Sequence, residues 1–487
     1  MLSFLRFALL CPPLSLFAVS PSQPPAPTVR VERFDKDPHW EGRNNRPTPL
    51  RTRPVRQDFG YRPADANNAE SAIGGFITPS SAAAYYAKPL PKLTLNDTLS
   101  ASGTLLLPKG RAHLLLGFFN SHSVNEWRTP NSLVIRLQGR GDVFYAYVEY
   151  ATQKWRAGGD SPGGFATLKD PVTGRAQLKG FPADALYKWS LRYDPMANRG
   201  DGSFRVTIGE EEAVCNLSPG HKADGATFDR FGLLNIVKSA DDGGEVWLQS
   251  VTVNGKAEDL RKAPRWKAVG NHKEYRTTEV RPYGDFGYSP TNFAGGKQGE
   301  LGGLVFRGDC RDQASMACYG DKLSPLTLEK PLVASGKVSL RRGVSDSTML
   351  IGFYNAKESM TVTPSQKFGF PNAFLGVAIE GPSSEGFYFY PACRVSEGFQ
   401  VVSNSADRPH ILPDGAVHTW SLTYTPKPEG GGKIVVTLDE KSVSLDVDMR
   451  ASQAKTVFDR FGIITTWVDG NGQRVYFDDL TYSCSQP

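Results

Sequence analysis

The sequence ATFDRFGLLNIV, from Ala226 to Val237, has a near copy in KTVFDRFGIITTW, from Lys455 to Trp467. Three more pairs of segments follow the same order: DFGY at Asp58 and Asp285, LLLGFFNS against MLIGFYNA, and KWSLRYDP against TWSLTYTP. The paired segments lie about 230 residues apart, far beyond the period of a solenoid repeat. The chain is therefore predicted to be a tandem duplication in which each copy is a complete domain.

The shared FDRFG motif is interpreted as a structural element. Phe228 and Phe231 are expected to fill the core, and Gly232 to allow a bend. The side chains of Asp229 and Arg230 are expected to cap backbone groups or to form ion pairs. The pattern predicts a turn that leads into a buried strand. Because the motif stands in both copies, a role in folding explains it better than a role in one site.

Composition describes a globular protein rich in turns. The 487 residues are 39% hydrophobic and 22% charged, with 49 Gly and 35 Pro, which favours many short strands joined by turns. The net charge of +6 permits an acidic partner such as an anionic polysaccharide. The sequence has no Lys/Arg run of the kind that binds nucleic acid, so no nucleic-acid partner is expected.

The N-terminus has the pattern of an export signal. Residues 1–22 carry one Arg, an apolar stretch and then small residues, which predicts a cleaved signal peptide and a secreted or periplasmic protein. Cys11 raises the alternative of a lipoprotein, but the bulky Leu10 before it disfavours that cleavage. Residues 23–30 are Pro-rich and predicted to be a disordered tether. No other stretch approaches the ~18 apolar residues of a membrane span.

Export would make disulfides possible. The second copy holds four cysteines, which allow three pairings. We expect Cys310–Cys318, because a short loop joins them, and then Cys393–Cys484. A metal site is the alternative, although no His residues stand beside these cysteines.

Strand patterns dominate both copies. In NSLVIRLQGRGDVFYAYVEYAT two alternating runs flank a turn, and each WSL-x-Y segment is followed by a Gly-rich turn and two further strands. Many short strands in a domain of this length predict a two-sheet sandwich or jelly roll.

The order W-S-L-x-Y, Gly-rich turn, FDRFG and a terminal VYFDDLTY resembles the laminin-G-like, concanavalin A-like lectin/glucanase superfamily. The resemblance is best in the C-terminal half of each copy. It implies an all-β fold with two tandem concanavalin A-like antiparallel sandwiches, with carbohydrate bound on a concave face. The domains are expected at 31–256 and 285–487, with a linker and the start of the second repeat at 257–284. Members include lectins, hydrolases, lyases and adhesion modules, so no single activity follows.

The two copies differ in the charges beside a shared pair of tyrosines. Aligning FYAYVEY with FYFYPAC keeps both tyrosines but places Glu149 opposite Ala392. Aligning the copies on their common Pro-Asn places Arg136 opposite Val377. The first copy is therefore the expected site of glycan contact.

Strand alternation predicts a polar patch on one face of the first copy. Its aromatic rings suit sugar stacking, and its charged groups suit hydrogen bonds to hydroxyls. Its members are Glu126, Trp127, Arg128, Arg136, Gln138, Tyr145, Tyr147 and Glu149. A solvated sheet face laced with ion pairs is an equal alternative.

Two kinds of catalysis are compatible with these residues. Glu126 and Glu149 could act as acid and base on a glycosidic bond. A lyase would instead use Tyr147 or His122 as base and Arg136 to neutralise a uronate.

Elsewhere, the adjacent Asp478 and Asp479 are candidate ligands of a structural Ca²⁺, although two carboxylates are weak evidence. No other cofactor is expected, and the chain is expected to be a monomer. Three functions remain open: a polysaccharide-binding protein, a polysaccharide-cleaving enzyme, and a structural or adhesive surface module.

Overall fold

A computed structural model describes residues 27–485. Within that range it leaves out 67–69, 160–164, 166, 170–175, 179, 309–315, 362–368, 382–383, 396–397, 402–406, 429 and 448–455. The predicted signal peptide, the first residues of the predicted tether and Cys310 lie outside the described residues.

The strands of the first half are β1 (Thr28–Glu32), β2 (Glu41–Arg43), β3 (Arg53–Arg62), β4 (Ala72–Ile77), β5 (Tyr85–Thr94), β6 (Leu99–Leu106), β7 (His113–Phe119), β8 (Ser132–Arg140), β9 (Val143–Ala151), β10 (Ala157–Gly158), β11 (Thr167–Lys169), β12 (Ala176–Leu178), β13 (Phe181–Pro182), β14 (Leu186–Asp194), β15 (Ser203–Ile208), β16 (Glu211–Asn216), β17 (Thr227–Asn235), β18 (Gly244–Val253), β19 (Lys256–Ala257), β20 (Lys267–Val269) and β21 (His272–Thr277).

The strands of the second half are β22 (Gly284–Ser289), β23 (Glu300–Phe306), β24 (Cys318–Thr327), β25 (Leu332–Arg342), β26 (Ser347–Tyr354), β27 (Phe374–Gly381), β28 (Tyr388–Val395), β29 (Gly398–Val401), β30 (Val417–Pro426), β31 (Gly432–Leu438), β32 (Lys441–Val447), β33 (Val457–Ile464) and β34 (Gly472–Ser485). The described part of the chain also has a short helix, α1 (His221–Asp224), and a 3₁₀ turn at Asn198–Gly200.

The first sandwich consists of two antiparallel sheets that share one core. Their strand orders are β16-β15-β14-β6-β18-β4-β3-β21 and β10-β9-β8-β7-β17-β5-β20. Alternation along β14 buries Trp189, Leu191 and Tyr193, whereas the intervening Arg192 is exposed. The Trp189 ring stacks on Phe231 of the opposite sheet with centroids 6.3 Å apart. Such face-to-face packing defines a β-sandwich.

The second sandwich repeats this arrangement. Its sheets have the orders β22-β23-β34-β25-β30-β31-β32 and β2-β24-β33-β26-β27-β28-β29. The strands from β22 to β28 match β3 to β9 in sequence order and in neighbours. The prediction of two tandem antiparallel β-sandwiches is confirmed.

Each sandwich is completed by a strap from the start of the other repeat. The first strap, residues 28–46, adds β1 to β34 and β2 to β24 of the second sandwich. Its Phe34 and Trp40 are buried in the second core. The second strap, residues 256–272, adds β19 to β18 and β20 to β5 of the first sandwich, and its Trp266 lies in the first core.

Both straps end in the same asparagine clamp. The Asn45 carbonyl accepts a hydrogen bond from the Phe286 N–H at 3.3 Å, and its side-chain amide donates to the Phe286 carbonyl at 2.7 Å. Asn271 makes the matching pair with Phe59 at 3.1 and 2.6 Å. The exchange of straps is therefore a symmetric feature of the duplication.

Strap exchange corrects the predicted boundaries. Residues 31–46 belong to the second sandwich, although the repeat comparison placed them at the start of domain 31–256. Residues 28–30 of the predicted tether form part of β1. The segment predicted as a linker at 257–284 supplies β20 and β21 to the first sandwich. Sequence similarity shows where a repeat begins but not which core it fills.

FDRFG lies inside a strand and does not form a turn. Phe228 and Phe231 in β17 are fully buried, as predicted, and the Asp229 carboxylate accepts hydrogen bonds from Ser121. Gly232 does not serve a bend: a Cβ there would stand 2.3 Å from the Tyr86 carbonyl oxygen on the neighbouring β5. The motif is thus conserved between the copies by strand packing.

The cysteine prediction is wrong for the described residues. Cys393 and Cys484 are free thiols, and so is Cys318, the proposed partner of Cys310. Burial raises the pKa of the Cys393 thiol to about 12, as expected of an inert core cysteine.

Candidate functional site

The strand residues of the predicted patch lie on the outer face of the sheet that contains β7, β8 and β9. Their pairing forms three rows across the face: His113–Gln138–Tyr145, Leu115–Arg136–Tyr147 and Gly117–Val134–Glu149. The opposite side chains of these strands, such as Leu116 and Ile135, point into the first core. The alternation of side chains along the strands therefore predicted correctly that Arg136, Tyr147 and Glu149 share one face.

Arg136 is the centre of this face. Its Nε donates to Glu149 Oε1 at 2.7 Å. Its guanidinium carbon lies 3.8 Å from the centroid of the Tyr147 ring and 5.2 Å from that of Trp127. Arg128 Nε lies 4.0 Å from Glu149 Oε2. The strands and the 124–127 segment thus fix a guanidinium between two rings, oriented by a carboxylate.

This centre is buried, so the alternative of a solvated sheet face does not describe it. Glu149 and Arg136 are only 2% and 5% exposed. The half-buried side chains of Gln138, Tyr145 and Tyr147 form the accessible rim. A ligand on this face would meet the rim directly and the Arg136 charge beneath it.

Two residues that the sequence reasoning missed belong to the site. His113 Nε2 lies 3.4 Å from Arg136 Nη1, and Lys238 Nζ lies 5.6 Å from the centroid of the Trp127 ring. Burial, reinforced by Lys238 and Arg136, holds the pKa of His113 well below its usual value, so its imidazole is neutral. Counting back every second residue from Gly117, which both copies share, reaches Leu115 and His113 and could have placed His113 on this face. Lys238 lies beyond the end of β17, where strand alternation makes no prediction.

An open depression of about 710 Å³ adjoins the rim. Its charged and polar lining residues are Arg111, His113, Gln138, Arg140, Asp241 and Asp242. Arg140 also lies over the Tyr145 ring at 5.6 Å. The depression therefore continues the outer face into a polar groove lined by two arginines and two aspartates.

Glu126 lies away from this face, in the junction between the sandwiches. Its Oε2 accepts hydrogen bonds from the N–H and the hydroxyl of Ser345, at 3.0 and 3.4 Å. The side chain is 1% exposed, and burial raises its pKa to about 8. His122 is also remote, because it lies beside Ser121 and Asp229. The arrangement gives no support to a hydrolytic pair of Glu126 and Glu149.

Strand register corrects the comparison of the copies. Leu115 pairs with Arg136 and its counterpart Leu350 pairs with Ala378, so Arg136 corresponds to Ala378 and not to Val377. The match of Glu149 with Ala392 agrees with the register.

The second sandwich has charged groups of its own on this face. Glu380, at the position of Gln138, accepts a hydrogen bond from Tyr390 at 2.6 Å, and Arg408 lies 4.0 Å from the Tyr390 ring. The second copy therefore lacks counterparts of Arg136 and Glu149 but places other charged groups beside its tyrosines. Access also differs: Tyr388 and Tyr390 are 3% and 2% exposed, whereas Tyr145 and Tyr147 reach the surface.

The two aspartates proposed for Ca²⁺ have other contacts. Asp478 accepts a hydrogen bond from the Asp479 N–H at 2.8 Å, and Asp479 pairs with Lys337 at 2.6 Å. Among the described residues, no three His, Cys, Asp or Glu side chains are placed to hold a metal ion. The calcium site stays a prediction without a third ligand.

The strand pairing defines a tandem pair of antiparallel two-sheet β-sandwiches, which is the architecture that the sequence resemblance implied. No protein-family model matches the chain, and no curated protein matches its sequence. No helix in the described part of the chain has the length and apolar character needed to cross a membrane.

Several solved structures resemble the chain weakly. Domains LG4-5 of the mouse laminin α1 chain share 13% identity at a TM-score of 0.22, over 87% of this chain and 92% of theirs. An endo-β-1,4-glucuronan lyase from the fungus Trichoderma reesei shares 11% sequence identity at a TM-score of 0.30, over 42% of this chain and 90% of the lyase. Peanut lectin shares 13% sequence identity at a TM-score of 0.27, over 40% of this chain and 89% of the lectin. Scores this low carry no argument about activity, and the fold assignment rests on the strand pairing itself.

Proposed function

We propose that the first sandwich binds an anionic polysaccharide on its β7–β8–β9 outer face. The observation that carries this proposal is the Arg136 guanidinium, held between Tyr147 and Trp127 and oriented by Glu149. Rings beside a fixed guanidinium offer a stacking surface for the apolar face of a sugar and a charge for its carboxylate or sulfate.

Charge supports an anionic ligand over a neutral one. The face and its depression include five basic side chains, Arg111, Arg128, Arg136, Arg140 and Lys238, and three carboxylates, Glu149, Asp241 and Asp242. An excess of one sign in a concave surface raises the local concentration of the opposite charge. The predicted export of the chain would bring this face to extracellular polysaccharides.

The second sandwich supports the assignment by contrast. There Arg408 and Glu380 cover the equivalent tyrosines, so their rings are closed to a sugar. The accessible tyrosines are those of the first sandwich.

A polysaccharide lyase is the second candidate, and it rests on His113. A neutral imidazole beside Arg136 can accept the proton that elimination removes next to a uronate carboxylate, while the guanidinium stabilises the charge that develops. His113 is only 7% exposed, so catalysis also requires that the ligand reach beneath the rim. Binding at the rim, through the half-buried Tyr145, Tyr147 and Gln138 with the Arg136 charge beneath them, needs no such access and is the simpler proposal.

The test is titration of the full chain with a polyuronate, a sulfated glycan and a neutral glucan at low salt. We expect the two anionic polymers to bind, the glucan not to bind, and the affinity to fall as salt shortens the screening length. Ultraviolet absorption by an unsaturated product would identify a lyase. Equal binding of all three polymers, or no binding, would contradict the proposal.

A further inference from the structure

The slot that receives the first strap is a complete docking surface for a protein segment. It offers strand edges of two sheets, β34 and β24, and a core pocket for Phe34 and Trp40. The Trp40 ring contacts Tyr319 and Tyr482 at centroid distances of 5.9 and 6.0 Å. Main-chain pairing with buried side-chain anchors is how proteins bind an added strand.

The strap is joined to the rest of its own repeat by a short exposed segment. Residues 48–52 are all exposed and lie between the Asn45 clamp on the second sandwich and β3 of the first. An element that packs by its own anchors and hangs on one exposed hinge can be exchanged between identical chains, because the same contacts form in either case.

Charge distinguishes the two slots. Gly320 pairs with the first residue of β2, and the next residue, Asp321, forms an ion pair with Arg30 of the first strap. At the matching place in the first sandwich, Ala87 pairs with the first residue of β20, and the next residue, Lys88, forms an ion pair with Glu258 of the second strap. The signs are reversed.

Each slot therefore pairs with one charged residue of the strap that it receives. The Tyr482 hydroxyl donates to Asp321 at 2.6 Å, and Trp266 Nε1 donates to Glu258 at 3.0 Å, so both carboxylates are fixed in place. The straps carry like charges at matching positions, Arg30 with Lys256 and Glu32 with Glu258, so these ion pairs hold each strap in its slot without distinguishing one strap from the other.

We propose that the strap slot of the second sandwich is an interaction surface whose partner is the first strap of a second copy of this chain. The product is a dimer in which the two first straps are exchanged and every second strap remains in its own chain. Within one chain the strap is present at an effective concentration on the order of millimolar, so the closed monomer prevails in dilute solution.

The test changes the hinge in the full chain. Deleting Pro47–Leu50 shortens its reach by about 14 Å, which disfavours closure within one chain. A control replaces the same four residues by a Gly-Ser segment of equal length. Both variants are unfolded and refolded at high concentration, and their molar masses are measured by light scattering after gel filtration. We expect a doubled mass for the deletion and a single mass for the control; a monomeric deletion variant would overturn the proposal.

A second pair of variants decides the matter if the deletion does not fold. Each of the variants Arg30→Asp and Asp321→Arg places like charges between the strap and the slot of the same chain. In an exchanged dimer of one chain of each variant, both straps meet a slot of opposite charge. Co-refolding should give twice the monomer mass, and the double variant R30D/D321R alone should stay monomeric. A mixture that contains only monomers contradicts the exchange.

Discussion

Replacing Glu126 by Gln should remove a pH dependence from folding. Glu126 is buried between the sandwiches, and burial raises its pKa from 4.5 to about 8. Between these two values the folded chain holds a proton that the unfolded chain releases. Stability from this group is therefore complete below pH 4.5 and is lost as the pH rises toward 8. At about 1.4 kcal/mol per pH unit, the loss amounts to roughly 5 kcal/mol across the window.

The assay is urea unfolding of the full chain at intervals from pH 5 to pH 8. The amide of Glu126→Gln can still accept the Ser345 hydrogen bonds but does not ionise. Wild type should therefore lose about 4 kcal/mol relative to the variant over this range. Glu210→Gln, in an exposed turn, is the matched control and should follow wild type. Parallel curves for wild type and Glu126→Gln would refute the argument that Glu126 is protonated in the junction.

Three further predictions concern packing, and all can be measured by denaturant unfolding. Trp40→Ala should cost about 3–5 kcal/mol by emptying the strap's place in the second core, whereas Leu50→Ala in the exposed hinge should have little effect. Gly462→Ala should cost about 3 kcal/mol, because its Cβ would stand 2.2 Å from the Tyr319 carbonyl oxygen, whereas Gly296→Ala meets nothing within 4 Å. Glu149→Ala should cost about 3–5 kcal/mol by breaking a buried ion pair, and a neutral result would mean that Arg136 does not depend on it.

The fold could be predicted from the sequence because duplication and alternation are local signals. The paired segments around FDRFG identified two domains, and strand periodicity identified sandwiches. Strap exchange left no such signal. Trp40 and Trp266 match each other in sequence whichever core they enter, so only the strand pairing reveals that each fills the other repeat's sandwich.

The candidate site could be predicted only in part. Alternation put Arg136, Tyr147 and Glu149 on one face, but it does not report what covers that face, and their burial was missed. Alignment on a shared Pro-Asn slipped by one residue, which in a strand exchanges the two faces. Glu126 was grouped with the patch by proximity in sequence, although Ser345 of the other sandwich decides its place.

The most direct test of the proposed function is the affinity of rim variants for a polyuronate, measured by calorimetry. Gln138→Ala and Arg140→Ala remove accessible groups and leave the buried pair intact. If the outer face of the first sandwich is the binding site, each should weaken binding by about tenfold, equivalent to about 1.4 kcal/mol. Arg192→Ala removes the same charge from the other sheet of this sandwich and should bind like wild type. Unchanged affinity in both rim variants, or an equal loss in Arg192→Ala, would contradict a site on this face.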